Sequence, residues 1–402
     1  MMPILHAMLI SVVPFVLVIS LIVTIHELGH FLTAKACGVA IDRFSIGFGR
    51  AVVSWRDRSG VEWRIGWIPL GGYVKFAGDE NIASMPDQND LVALRASIVA
   101  RDGPGAETRL LIFKPLWQRA LIVLAGPLAN FILSTAIFAA FFMFFGESFT
   151  QPVVRSVVPA QAGARAGFAP GDIITAVDGH PMQSFEQVQF YVQYRAGVPL
   201  HVSIDRNGQP MKVTATPDLD HEPSAFGGTE AVGRLGLVAA GGGLRRIAPL
   251  DAVGLGVART YDVAATTLFY LGRIVTGQVG ADQLHSIVGI VHASGSITQQ
   301  ALNAAHDARI SWVYAELFFL SQLAAIMSVS IGLINLLPIP TLDGGHLMFY
   351  AYEWMARRPA AAKVQAAGYR AGLALLVGLM LFATWNDVER LRLFQVFGSL
   401  FS

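Results

Sequence analysis

Charged residues are scarce in this chain. Lys, Arg, Asp and Glu make up 14% of its 402 residues, where a soluble domain carries about 25%. The charge present nearly cancels, to a net +1, which excludes nucleic-acid binding through bulk positive charge. Cysteine is scarcer still. The single Cys37 rules out an internal disulfide framework and any C-x-x-C metal or redox pair. No internal repeat of the solenoid or propeller kind is evident. A basic leader region and an A-x-A cleavage site are also missing at the start, so the first apolar run is expected to be a retained span rather than a removed signal.

What is abundant is apolar. Hydrophobic residues make up 53% of the chain and the mean hydropathy is +0.51, the balance of a membrane protein. Four segments are long and apolar enough to cross a bilayer, which takes about 20 residues. They are 7–28 (continuing as helix to about 36), 116–145, 315–337 and 368–385. Orientation follows from Lys and Arg in the loops. Residues 42–115 hold ten, and the loop 338–367 adds Arg357, Arg358 and Lys363. Both loops therefore read as cytoplasmic, which places the termini and the long section between spans two and three on the opposite side.

That outer section has soluble-domain character over 147–217. Strand-like runs alternate with turn signals, and Asn207-Gly208 between two alternating runs predicts a tight hairpin. Ser184 is a plausible N-cap for a helix from 185. On the inner side, 51–76 reads as a β-hairpin followed by a third extended piece. Residues 89–101 suggest an amphipathic helix. From 241 to 308 the chain is rich in Gly and Ala, and its weak periodicity assigns no element.

The chemistry centres on VTIHELGHFLTAK, residues 23–35, at the inner end of span one. Ionisable groups at membrane depth are functional by default. His26 and His30 are four residues apart, so on a helix they share a face and can grip one metal ion. Glu27 stands about 100° further round, near the metal without having to bind it, as suits a general base. Two histidines do not complete a site, since catalytic zinc usually has three protein ligands. The segment NLLPIPTLDGGH, residues 335–346, offers a third. Pro338 and Pro340 end span three, and Asp343 follows, with Gly344-Gly345 letting the chain turn tightly. Asp343 and His346 both remain candidates on these grounds. A membrane metal transporter or metal-sensing receptor is the alternative class, but it has no use for a base beside the first ligand.

HELGH on the first span, LAGPLANF (124–131) on the second and NLLPIPTLDGGH after the third together resemble the site-2 protease family, in its bacterial regulator-of-sigma-E protease branch. PAQAGARAGFAPGDIITAVDGHPM, residues 159–182, resembles the bacterial PDZ pattern. The resemblance implies a polytopic α-helical membrane protein with four transmembrane helices, a membrane-associated cytoplasmic β element and one periplasmic PDZ-like α+β domain. The layout would be a first span with its motif in 1–40, the β region in 41–115, span two in 116–146, the PDZ-like domain in 147–240, a linker in 241–314, span three and the LDG motif in 315–340, a cytoplasmic loop in 341–367, and span four with a tail in 368–402.

The resemblance further implies one zinc ion per chain, held by His26, His30 and Asp343, with Glu27 as base; it thus favours Asp343 over His346. It implies substrate contacts for Asn335, Pro338 and Asn130, the last in the motif with Gly126 and Pro127. Gly71, Gly72 and Tyr73, in IPLGGYVKF, would hold an unwound substrate as an added strand. Arg234, Leu235, Gly236 and Leu237 match the PDZ loop for a peptide end. The implied partners are the lipid bilayer and single-span membrane proteins, an anti-sigma factor already trimmed by another protease and signal-peptide remnants among them, at a bacterial inner membrane. Two departures stand out. There is one PDZ-like unit where some relatives have two, and Ser286-Ile287-Val288-Gly289-Ile290 stands where the family often has Gly-Pro-x-Gly-Ile.

Overall fold

A computed structural model describes residues 2–78, 92, 95–100, 103–223, 229–278, 286–308 and 311–390. The chain divides into two compact units, one of residues 1–137 with 286–385, the other of 138–285 with 386–402.

The first unit is built on helices α1 (Met2–Ala36), the greater part of α2 (Leu116–Phe145), α6 (Ile287–Ala308), α7 (Trp312–Leu336), α8 (Asp343–Ala356) and α9 (Ala362–Arg390). Four stretches, Ser11–Ala36, Leu116–Phe145, Trp312–Leu336 and Ala362–Glu389, are long and apolar enough to cross a membrane. Their sequences are apolar on all sides, as lipid-facing helices must be. Val18 and Ile22 of α1 bury against Ala324 and Met327 of α7, with Leu133 of α2 and Ile290 of α6 packed around them. At motif level the helices approach more closely still. A Cβ on Gly29 would overlap the Ala125 carbonyl and stand 2.8 Å from the Ala129 Cβ. Helix α7 stops where Pro338 and Pro340 remove donors, and short turn bonds such as Leu342 N–H to the Ile339 carbonyl (2.8 Å) carry the chain into α8. Gly344 and Gly345 are needed there for space rather than for turning. They sit in the first turn of α8, and a Cβ on either would collide with the backbone of 336–340.

Strands β1 (Ile41–Arg56) and β2 (Glu62–Phe76) form a single antiparallel pair in which each strand is used twice. Ser45 is partnered by both Tyr73 and Arg64, and Arg64 in turn also by Ser54. The stretch expected as a separate third piece is therefore the far end of β2, laid along the other side of 41–46. The fold-over needs bends. Gly71 has φ 119° and lies on the Phe48 ring, where a side chain has neither a backbone conformation nor space. Phe31, Phe44 and Val61 bury together with Trp63 and Val74 beneath the sheet, while Val52, Val53, Trp55, Trp67, Ile68 and Leu70 stay exposed.

The second unit holds a four-stranded sheet in the order β4 (His180–Pro181), β3 (Ile173–Val177), β5 (Leu200–Arg206), β6 (Gln209–Ala215). The unit also holds helices α3 (Ala162–Ala166) and α4 (Phe185–Gln193), and α4 begins as predicted, with Ser184 Oγ accepting from the Gln187 N–H. Val154, Phe168, Ile174, Val188, Val202 and Leu235 are among the side chains buried between them. The predicted hairpin closes at Asn207 and Gly208, both at positive φ (56° and 81°), pairing Arg206 with Gln209. Buried Asp172 receives two bonds from Arg206, at 2.7 and 2.8 Å. Leu237–Ala239 pairs with Val154–Val157, and Glu147–Phe149 with Gly243–Arg245.

Residues 241–308, which the sequence pattern left without elements, contain two long helices, α5 (Pro249–Val275) and α6. The first docks through cations: Arg195 lies between the rings of Tyr191 and Phe269, and Arg273 donates to the carbonyls of Tyr194 and Ala196. Of the amphipathic helix expected over 89–101, residues 95–100 are helical, and most of the others lie outside the described residues.

Candidate metal centre

Helix α1 carries His26 and His30 at one-turn spacing, and α8 begins with Asp343 beside them. The two Nε2 atoms are 3.2 Å apart, and Asp343 Oδ2 is 3.1 Å from the first and 3.5 Å from the second. Four donors about 2.0–2.1 Å from a tetrahedral zinc ion stand about 3.3 Å from one another, so the three observed separations fit one ion at their centre. Asp343 Oδ2 is buried and has no well-formed hydrogen bond, despite two imidazole nitrogens at contact distance. Two imidazole nitrogens and a carboxylate oxygen that converge on one buried point are what a cation would satisfy.

The bed of the site comes from α2. A Cβ on Gly126 would overlap His30 Nε2 and lie 2.9 Å from His26 Cε1, so only glycine leaves room for both rings. His30 Nδ1 is 2.8 Å from the Ile122 carbonyl, and His26 Nδ1 is 3.2 Å from the Asn130 amide. Asn130 is fully buried; its backbone carbonyl accepts from Ser328 Oγ of α7 at 2.8 Å. Such partners orient metal-binding imidazoles.

Glu27 faces the β element. A Cβ on Gly72 would sit 3.2 Å from Glu27 Cγ and 3.5 Å from Val23 Cγ1. Ser20 Oγ donates to the Pro69 carbonyl at 2.7 Å. The stretch 69–74 thus runs along α1 at the level of Glu27.

Of the two candidates for third ligand, Asp343 is the one beside the imidazoles. His346 faces away to Tyr369, whose hydroxyl is 3.3 Å from its Nδ1. Tyr73 stacks on Phe48 and receives a bond from Arg43 at 3.3 Å. Asn335 is half-buried in the last turn of α7, and Pro338 is exposed just beyond it. In the second unit the Leu235 carbonyl accepts from Gly163 N–H (2.6 Å) and the Gly236 carbonyl from Val158 N–H (2.8 Å). Arg234 is paired with Glu222 and Asp220.

Reading from sequence missed three contributors. Gly29 lies inside the motif, and its position between the histidines on a packed helix was a signal. Ser328 was signalled only by the small-residue run around it. The Ile122 carbonyl had no signal, because a backbone acceptor leaves no mark on residue type.

Two histidines one helical turn apart, an intervening glutamate and a carboxylate from a distant helix, held among membrane-length helices, define a metallopeptidase centre in a membrane scaffold. The profile of Peptidase family M50 matches residues 14–379. Metalloprotease MmpA of Caulobacter vibrioides is 48% identical over 398 residues, covering 98% of this chain and 99% of that protein. Zinc metalloprotease RasP of Geobacillus kaustophilus is 29% identical over 437 residues, covering 94% and 98%. The chain belongs to peptidase family M50, the site-2 proteases, and is a zinc metalloprotease. Among solved structures, the PDZ domain of the SdrC-like protein from Listeria innocua aligns at 17% identity and TM-score 0.19, over 24% of this chain and 99% of that one.

Proposed function

We propose that this protease cuts the transmembrane segments of single-span membrane proteins, at a zinc ion held by His26, His30 and Asp343. The observation that carries the reading is the position of His26, Glu27 and His30 on a helix long and apolar enough to span the bilayer, with Asp343 brought beside them by α8 and the end of β2 alongside. When bound there, zinc supplies Lewis acidity to the scissile carbonyl and to an attacking water. Glu27 accepts that water's proton and returns it to the leaving amine.

A helical substrate shields its own peptide bonds, so it must unwind before it can be cut. The stretch 72–76 is hydrogen-bonded to β1 on one side, and its backbone runs past Glu27. A substrate segment adding to this edge as a strand would be held extended with its carbonyls in reach. Gly71 and Gly72 keep that edge free of side chains, and Tyr73, Asn335 and Pro338 would flank the segment. The exposed apolar residues of the sheet, Trp55, Trp67 and Leu70 among them, suit a β element set into the lipid.

Loop charge supports an inner-membrane protein with its motif at the cytoplasmic edge, and with both termini and the PDZ-like domain in the periplasm. In that domain the loop Arg234-Leu235-Gly236-Leu237 leads into a strand bonded on one side, to Val154–Val157, which leaves an edge for a peptide end. The proposed substrates are anti-sigma factors whose outer part another protease has already removed, together with signal-peptide remnants. The test is cleavage of a single-span substrate by the purified protein in liposomes. Loss of cleavage is expected with Glu27→Gln and on zinc removal; cleavage that survives either one would sink the mechanism.

A further inference from the structure

We propose that Asn130 fixes the tautomer of His26, its Oδ1 accepting a hydrogen bond from the His26 Nδ1–H, so that Nε2 keeps its lone pair for the metal. This assigns Asn130 to the metal centre, as a positioning residue, rather than to the substrate.

The argument begins with the neighbouring ligand. His30 Nδ1 lies 2.8 Å from the Ile122 carbonyl. A carbonyl oxygen can only accept, so the His30 proton is on Nδ1 and the lone pair on Nε2. Nothing so one-sided faces His26. Its Nδ1 meets the side-chain amide of Asn130 at 3.2 Å, and an amide offers either a donor or an acceptor. With the amide nitrogen turned to His26, Nδ1 would have to carry the lone pair. A neutral ring would then place its proton on Nε2, pointing into the donor set. Rotating the amide by half a turn keeps its shape. Oδ1 then accepts from Nδ1–H, and both imidazoles present bare Nε2 atoms 3.2 Å apart.

The surroundings suit a fixed orienting group. Asn130 is 0% exposed, so it has no surface to offer a substrate. Ser328 Oγ holds its backbone carbonyl, and Gly332 of α7 would place a Cβ 3.3 Å from its own Cβ. The asparagine is therefore held in place by α7.

The inference rests on the zinc reading, and its test separates the two. The full-length protein in detergent is titrated with zinc against a chromophoric chelator, for the wild type, Asn130→Leu and Asn130→Asp. Failure of the wild type itself to bind zinc would sink the underlying reading. Asn130→Leu keeps the volume and removes the acceptor, and should weaken zinc about 10–100-fold, the usual effect of losing such a partner. Asn130→Asp keeps an acceptor and abolishes the donor, and should bind zinc at least as tightly as the wild type to within about threefold. If Asn130→Leu fails to fold, Asn130→Asp still decides. Weakening in Asn130→Asp comparable to that expected for Asn130→Leu would mean that the amide acts as a donor, and would overturn the proposal. Unchanged zinc affinity in both variants with a raised KM would return Asn130 to substrate binding and also overturn it.

Discussion

Arg119 and Glu353 meet at 2.5 Å with both side chains largely buried, at 13% and 22% exposure. The Arg119 guanidinium also lies 5.0 Å from the Tyr350 ring centre. Arg119 opens α2, the helix that supplies Gly126 and Asn130, and Glu353 closes α8, the helix that begins with Asp343. The pair therefore ties the helix bearing the third donor to the helix that beds the histidines.

Removing one member of a buried pair leaves the other charge uncompensated and costs about 3 kcal/mol. Glu353→Gln and Arg119→Ala should each lower the thermal midpoint in detergent and weaken zinc binding. The swapped double variant, Arg119→Glu with Glu353→Arg, should recover part of both. No recovery in the swap would show that packing, and not charge, holds the two helices.

Gly126→Ala should abolish stoichiometric zinc without unfolding the helices, because its methyl group enters the volume of both imidazoles. A displacement of the ligands by about 1 Å is enough to cost about 100-fold in rate. Zinc content per chain, read beside circular dichroism, checks this. Gly29→Ala meets a backbone carbonyl of α2 instead, so its main effect should be on stability, about 1–3 kcal/mol.

The third donor gives a paired test. Asp343→Asn should lose zinc, and His346→Asn should bind it within about threefold of the wild type, since His346 is engaged with Tyr369. Equal losses in the two variants would contradict the arrangement.

Acid should loosen the second unit through Asp172. Hydrogen bonds from Arg206 outweigh the opposing effect of burial, and with the Ala169 N–H they hold the Asp172 carboxyl below its ordinary value of 3.8. A lowered folded value means that the stabilisation is complete above the unfolded value and fades as pH falls through the folded one. Hydrogen exchange in Ile173–Val177 and Leu200–Arg206 should therefore speed up as pH falls below about 4, beyond the intrinsic trend. Arg206→Ala should lower the thermal stability of this unit at neutral pH and flatten its dependence on acid.

The parts of this protein that were legible in sequence are those with a local cause. Span composition, the Asn207-Gly208 turn and the Ser184 cap are each set by a few adjacent residues, and His26, Glu27 and His30 are fixed by helical spacing. The choice between Asp343 and His346 was not local. Both follow the same helix stop, and the packing that turns His346 toward Tyr369 involves a helix whose sequence bears no mark of it. The double use of β1 and β2 was hidden for a related reason: alternation reports which residues face which side, not how many partners a strand has. The two helices in 241–308 were obscured by Gly and Ala, which blur the apolar period on which such readings depend.

The donor set also has a history in time. His26 and His30 leave the ribosome more than 300 residues before Asp343, an interval of about 15–60 s at ordinary rates of synthesis. Throughout it, the growing chain has two ligands, no third, and no α8 to bring one. On the proposed ligand set a partly made copy therefore has no complete metal site, and cleavage would await the synthesis of α8.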